Sequence, residues 1–462
     1  MKKAILIIAL VMVFGGSAFA ISGGPGGYIY WSRADTETGA IGDYKIYKLE
    51  IDEAFQPVGG ATNGTVIATV PFIDNNTYNF GKEFRYHGLE VFDPRDQGGL
   101  GRLTLPSIAN HTPVNDAGSW GADRRYQPWD IVQVNPSDAS QTLLCDGRNY
   151  ASSTKWNTAA AERVLRAPDN WVPGTASNGL AFLVVDYMAG YPNYQQMFYV
   201  YDANANGKID DAESEGTYVH SPGGGIQPMD LEFCDDASLY YTRYLYHQAD
   251  KIVRLWIGDG GVTHTNVYYS AGRDAYGYNV HDVKNPVWSA SYGYGLAVGP
   301  SASGLVYFFG MDNTLNPDTQ LYVQRPAIFA LHDGDGDNVV AYTNPLDDVV
   351  KIWRDTDFGI NVDDIYGGHD LELYVNPDNG AMTLFASGYN KKLFALELAD
   401  NGLAALGVQL ILSSGGPSQG YFAQGFEIDM NPGAAIPEPA TLLLFGTGAL
   451  GVLGHIRRQR MK

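Results

Sequence analysis

Residues 202–213 read Asp-Ala-Asn-Ala-Asn-Gly-Lys-Ile-Asp-Asp-Ala-Glu. Side-chain oxygens fall at Asp202, Asn204 and Asn206 and return at Asp210 and Glu213, with Gly207 free to take a sharp turn and the Lys208 carbonyl available between them. A hard cation such as Ca2+ gathers six to eight oxygens at one point, and a twelve-residue loop with this spacing wraps them around it. A second loop, Asp333-Gly-Asp335-Gly-Asp337-Asn338, repeats the first three ligand positions, with Asn338 where a positive φ is wanted. It carries Asn344 where the closing Glu belongs, so Asp347 or Asp348 is expected to supply the missing carboxylate.

A third set is dispersed. HGLE (87–90), MDLE (229–232), HDLE (369–372) and GFE (425–427) put Glu90, Glu232, Glu372 and Glu427 at one recurring place, with His87 and His369 three residues ahead of two of them. Crowded carboxylates raise one another's pKa, so these glutamates are the catalytic candidates for metal binding or acid–base work. The plainer reading is that Glu alternates with core Leu and faces a wet channel, and Val132, Ala181 and Ala297 at equivalent places favour it. No nucleophilic-serine elbow, HExxH, phosphate-binding glycine loop or CxxC pair occurs. Trp120, Trp129, Trp156 and Trp171 are further candidates, for stacking on sugar rings.

The 202–213 loop resembles the calcium loop of EF-hand and dockerin proteins. Its flanks, MFYVY and GTYVH, read as strands instead of a helix pair. An ion that pins structure is therefore expected, not a sensor.

The elements that must hold these loops emerge from repetition. LEVFDPRDQGG (89–99), IVQVNPSDAS (131–140), LEFCDDAS (231–238), LAVGPSASG (296–304), LELYVNPDNG (371–380) and FEIDMNPGA (426–434) share one template, an alternating apolar strand running into a Pro/Asp/Asn/Gly turn. A second strand follows (SLYYTRY, GLVYFFG, MTLFASG), and then a third ending in acid at Asp52, Asp202, Asp259, Asp333 and Asp400. The interval between repeats is roughly 42 to 77 residues. Antiparallel triplets at this period predict an all-β protein, a β-propeller over residues 21–435. Arg102–Leu105 and Glu162–Asp169 offer third strands for two further blades in the long gap after Asp52, giving seven, with six or eight as alternatives. YIYWS (28–32) looks like a second strand lacking its first, and GFEI (425–428) a first lacking its second, so the two ends are expected to share a blade and close the ring. A tandem of β-sandwiches would leave those ends unmatched. Asn157–Arg166 has the one Ala-rich, helix-like run. Cys145 and Cys234 fall two blades apart and are expected to stay unbridged.

Both termini read as routing signals. Lys2 and Lys3, an apolar stretch from Ala4 to Phe14 and Ala18-Phe19-Ala20 predict a signal peptide over residues 1–20. At the other end, Pro437-Glu438-Pro439 precedes an uncharged apolar run from Ala440 and then Arg457, Arg458, Arg460 and Lys462. This tail, 436–462, resembles the PEP-CTERM sorting signal of Gram-negative bacteria. The resemblance implies processing by an exosortase, a membrane transpeptidase-like enzyme, with transient inner-membrane anchoring through a short transmembrane segment. It also implies an outer-surface or matrix destination associated with exopolysaccharide and biofilm.

Removing both signals leaves 24 basic residues against 50 acidic ones, or 51 if Glu438 is kept. That balance excludes nucleic acid and anionic lipid as partners and favours cations. The expected protein is an exported, calcium-stabilised propeller that binds polysaccharide or surface proteins without catalysis. The alternative is a propeller hydrolase or lyase acting on polysaccharide or lactone through the channel glutamates.

Overall fold

The computed structural model describes residues 26–34, 44–70, 90–92, 102–106, 131–134, 141–145, 159–168, 171–172, 179–186, 196–201, 217–220, 226–245, 248–270, 295–315, 322–341, 344–354, 368–388, 392–413 and 426–430. Among them lie 24 strands, numbered in chain order, in six antiparallel four-stranded sheets. Sheet I joins β24 (Phe426–Met430) to β1 (Gly27–Ala34), β2 (Tyr44–Ile51) and β3 (Thr65–Val70). Sheet II is β4 (Glu90–Phe92), β5 (Arg102–Pro106), β6 (Ile131–Val134) and β7 (Gln141–Cys145). Sheet III is β8 (Ala159–Arg166), β9 (Gly179–Asp186), β10 (Gln196–Tyr201) and β11 (Thr217–His220). Sheet IV is β12 (Ile226–Phe233), β13 (Leu239–Leu245), β14 (Gln248–Ile257) and β15 (Thr263–Ser270). Sheet V is β16 (Leu296–Val298), β17 (Leu305–Leu315), β18 (Tyr322–His332) and β19 (Asp348–Arg354). Sheet VI is β20 (Gly368–Val375), β21 (Met382–Gly388), β22 (Leu393–Leu398) and β23 (Ala405–Leu412).

Consecutive sheets stack face to face, and this explains why the middle strands are apolar at every position instead of at every second one. On β17, Val306 and Phe308 pack with Tyr240, Ile252 and Tyr268 of sheet IV, while Tyr307 and Phe309 pack with Leu371, Leu384 and Phe394 of sheet VI. Sheet V is thus covered on both faces. Sheets VI and I repeat the pattern through Phe385, Ala395, Ile29 and Trp31, and sheets III and IV through Leu165, Tyr199, Leu231 and Tyr241. A tandem of sandwiches would pair sheets two by two; this serial stacking is propeller-like. First strands meet in sequence, β8 with β12, β12 with β16, β16 with β20 and β20 with β24.

Seven blades are expected from the sequence, and the described residues form six sheets. The difference lies between Asp52 and Asp202. Arg102–Leu105 belongs to a second strand, β5, and Glu162–Arg166 to a first strand, β8; the third strand of sheet II is β6, expected as a first strand. NPSDAS after β6 uses the same turn residues whether it closes the first or the third strand, so turn chemistry alone cannot index the position. The Ala-rich run is strand and not helix, because β8 pairs with β9 on both sides of a register shift between Ala161 and Val164 and ladder pairing overrides the propensity of alanine. Cys145 ends β7, the fourth strand of sheet II.

Candidate metal centre

The chain leaves β18 at His332 and turns at once, and the Asp333 N–H donates to the Gly304 carbonyl at 3.1 Å. Three carboxylates then converge: Asp333, Asp335 and Asp347 each bring an oxygen within 4.8 Å of the others. Among the described residues this is the one group of three or more metal-ligating side chains so close together. Backbone amides hold the carboxylates in place. Asp333 accepts from Gly336 N–H at 2.8 Å and Asn338 N–H at 2.7 Å, and Asp347 from Gly334 N–H at 3.2 Å and Ala341 N–H at 2.8 Å. Asp335 accepts from the Asn344 side-chain amide at 3.0 Å. Asn338 takes φ 64°, the left-handed conformation that Asn tolerates better than most residues.

Partial burial holds the Asp333 carboxyl above the usual carboxylate range, against the pull of the Asn338 and Gly336 amides, and Asp337 and Asp335 push the same way. The Asn344 amide, followed by the Asp337 N–H, lowers the exposed Asp335 carboxyl. A donor set of oxygens alone, with no thiol or imidazole, fits a hard cation.

Of the two aspartates offered to replace the closing Glu, Asp347 joins the group, while Asp348 faces His332 Nδ1 at 3.3 Å. Asp337 is outside the trio and instead accepts the Val339 N–H at 2.8 Å, closing the next turn. Asp202, Asn204, Asn206, Lys208, Asp210 and Glu213 lie outside the described residues.

The loop is also braced by the neighbouring sheet. The Val340 N–H donates to the Tyr268 carbonyl of β15 at 2.6 Å, Asn266 Nδ2 donates to the Asn338 carbonyl at 2.8 Å, and the Tyr268 hydroxyl donates to Gly304 O at 2.7 Å. A cavity of about 150 Å³ lies in this seam, walled by Cys234, Tyr240, Tyr268, Ser301, Asp333 and Asn338. Burial pushes the Cys234 thiol up to about 12. An ion on the trio would therefore sit where sheets IV and V are joined.

Glu232, Glu372 and Glu427 lie half-buried on β12, β20 and β24, opposite Tyr240, Phe385 and Tyr30. Among the described residues they do not take part in a group of three metal-ligating atoms within 4.8 Å of one another. Glu90 is on β4, and His369 on β20; His87 lies outside the described residues. The aspartate two residues before the glutamate ties neighbouring sheets together. Asp230, 3% exposed, accepts from Leu296 N–H of β16 at 2.7 Å and from Leu231 N–H at 3.0 Å. Asp370, 1% exposed, accepts from Phe426 N–H of β24 at 2.8 Å and from Leu371 N–H at 3.1 Å. Sequence reasoning passed over both, although MDLE and HDLE carry them in plain view. Trp171 is core and not a sugar platform, 4% exposed and edge-on to Tyr199 and Phe233. Trp120, Trp129 and Trp156 lie outside the described residues.

Comparison with known proteins finds the PEP-CTERM protein-sorting motif at residues 435–458. The motif marks the chain as exported and destined for exosortase processing. Among the described residues no helix is long and apolar enough to cross a membrane; the apolar tail and the signal peptide lie outside them. No curated protein sequence is similar to the chain. Solved structures similar to it include an alpha-L-arabinofuranosidase from Lactobacillus brevis, at 10% identity and TM-score 0.34, covering 69% of this chain and 92% of that one. A gluconolactonase from Xanthomonas campestris matches at 10% identity and TM-score 0.37, over 81% and 95%. A GH43 glycoside hydrolase engineered for endo-xylanase and exo-arabinofuranosidase activity matches at 11% identity and TM-score 0.32, over 69% and 51%.

Proposed function

We propose that this exported chain is a non-catalytic binding or structural protein of the outer surface or extracellular matrix, a closed six-bladed propeller stiffened by calcium. The observation that carries the reading is the trio Asp333, Asp335 and Asp347, set in a loop hydrogen-bonded to the neighbouring sheet. A cation there neutralises repelling carboxylates and ties two blades. Its ligands are already held by backbone amides, so the ion braces the fold and is not spent on a substrate. The closed ring is supported by contacts of β24 with β4 and of β4 with β8, which complete the circuit of first strands, and by β24 and β1 sharing a sheet. The loop at Asp202–Glu213 is a second calcium site in this reading. The strongly acidic surface and the sorting motif suit a particle that meets extracellular polysaccharide through its rim loops.

Calcium-dependent thermal unfolding tests it. Saturation at a hundred times Kd stabilises by about 2.7 kcal/mol, and Asp335→Asn, on an exposed residue, removes the part owed to this site. Equal melting temperatures in calcium and in chelator would sink the structural-ion reading. Retention on immobilised exopolysaccharide from the producing cells tests the binding role.

A further inference from the structure

Sheet I differs from its neighbours at one corner. In sheet V the turn from first to second strand, Gly299–Gly304, packs on the turn from third to fourth, where Gly304 O takes the Asp333 N–H. In sheet I no such turn exists, because β24 and β1 come from opposite ends of the body and simply lie side by side, Met430 opposite Gly27. Among the described residues, an open cleft of about 620 Å³ lies at this corner beside residues 51–58, lined by Tyr28, Glu50, Asp52, Glu53, Ala54 and Val58. Glu50, Asp52 and Glu53 are all exposed there.

The same corner is where the tail departs. β24 ends at Met430 and the sorting motif starts at residue 435. Five residue steps reach at most about 17 Å when fully extended. An enzyme that grips the motif is therefore brought within about that distance of this corner.

Resting on the sorting reading, we propose that the cleft of sheet I is the docking surface for the membrane-embedded enzyme that recognises the motif, and that the enzyme meets it with a basic face. Complementary charge at such a contact speeds encounter and fixes orientation. The tether is too short for the body to swing clear, so a charge clash at the cleft obstructs processing directly.

The test is a pulse-chase of the full-length chain in cells carrying the enzyme, following the size shift on tail removal. The double variant Glu50→Lys/Glu53→Lys is expected to be processed at least tenfold more slowly at unchanged melting temperature. Asp378→Lys, in a turn of sheet VI, is expected to keep the wild-type rate. A twelve-residue Gly-Ser spacer inserted after Met430 is expected to restore processing of the double variant by letting the body stand off. A double variant processed at the wild-type rate overturns the docking surface while leaving the sorting reading intact. Faster processing of the double variant overturns it in favour of contact with anionic lipid. A wild-type chain that keeps its tail overturns both.

Discussion

Replacing Asp370 should loosen the strand that joins the two ends of the body. Its side chain is 1% exposed and accepts two backbone N–H groups, Leu371 on its own strand at 3.1 Å and Phe426 on β24 at 2.8 Å. Hydrogen bonds to a charged acceptor contribute about 1.5–3 kcal/mol each, and a buried donor left without a partner costs about 1–3 kcal/mol. Asp370→Ala strands both donors and opens a small void, so it should destabilise by about 3–5 kcal/mol. Asp370→Asn keeps one acceptor oxygen but turns an NH2 toward an N–H, for about 2 kcal/mol by the same account. Urea unfolding gives the size of the effect from the shift in midpoint at constant slope, and amide exchange locates it. Protection should fall first along Phe426–Met430, because that segment is hydrogen-bonded to sheet VI through this carboxylate. A change below about 0.5 kcal/mol with β24 protection intact would refute the tie.

Three other outcomes follow from the same geometry. The folded pKa of Asp333 is raised, so the folded state holds its proton more tightly than the unfolded state. Without calcium its contribution falls as pH rises from the ordinary carboxylate range through the raised value; in chelator, the melting temperature of wild type should fall across that window relative to that of Asp333→Asn, and calcium should remove the difference in slope. Cys234 is a buried free thiol with its pKa pushed up to about 12, so at pH 8 roughly one molecule in ten thousand carries the reactive thiolate, and Ellman's reagent should label it only after denaturation. Gly304 has φ +59°, and a Cβ there would lie 2.9 Å from Asp333 O; Gly304→Ala should cost about 1–3 kcal/mol and weaken calcium binding, read by calorimetry.

Much of this was legible in the sequence, and the failures have causes. Five third strands were marked by acid at their ends, and at two of them the following turn uses it: one Asp52 carboxylate oxygen accepts both Ala54 and Gln56 N–H groups, and Asp333 accepts the Gly336 and Asn338 N–H groups. The first strands of sheets IV, V and VI were marked by Leu followed by a Pro/Asp/Asn/Gly turn. Strand order within sheet II was not, since β6 is followed by the same residues that follow a first strand. In the metal loop, the spacing of Asp333 and Asp335 was local and readable. Asp347 was not separable from Asp348, because the choice depends on how the chain returns to Gly334 and Ala341. The inter-sheet tie of Asp370 spans 56 residues, and no local pattern announces a partner so distant.

That tie explains a regularity the sequence displays without comment. The residue before the recurring Leu or Phe is Asp230, Gly295, Asp370 and Gly425 in successive sheets IV, V, VI and I. Asp230 and Asp370 sit where the register of the first strand shifts, and each reaches the amide that directly follows the glycine of the next sheet. Gly295 stands in the opposite relation to the sheet after it, since a Cβ there would meet the backbone of Asp370 at 2.9 Å. Across sheets IV, V and VI, Asp, Gly and Asp therefore follow one another because one joint needs a carboxylate reaching forward and the next needs backbone in close approach. A side chain at Gly295 would push sheet VI outward and pull Asp370 off Phe426. Gly295→Ala should thus reproduce the β24 exchange signature of Asp370→Ala, although it removes no hydrogen-bonding group. If its damage stayed within sheet V, the two joints would be independent and the alternation would need another cause.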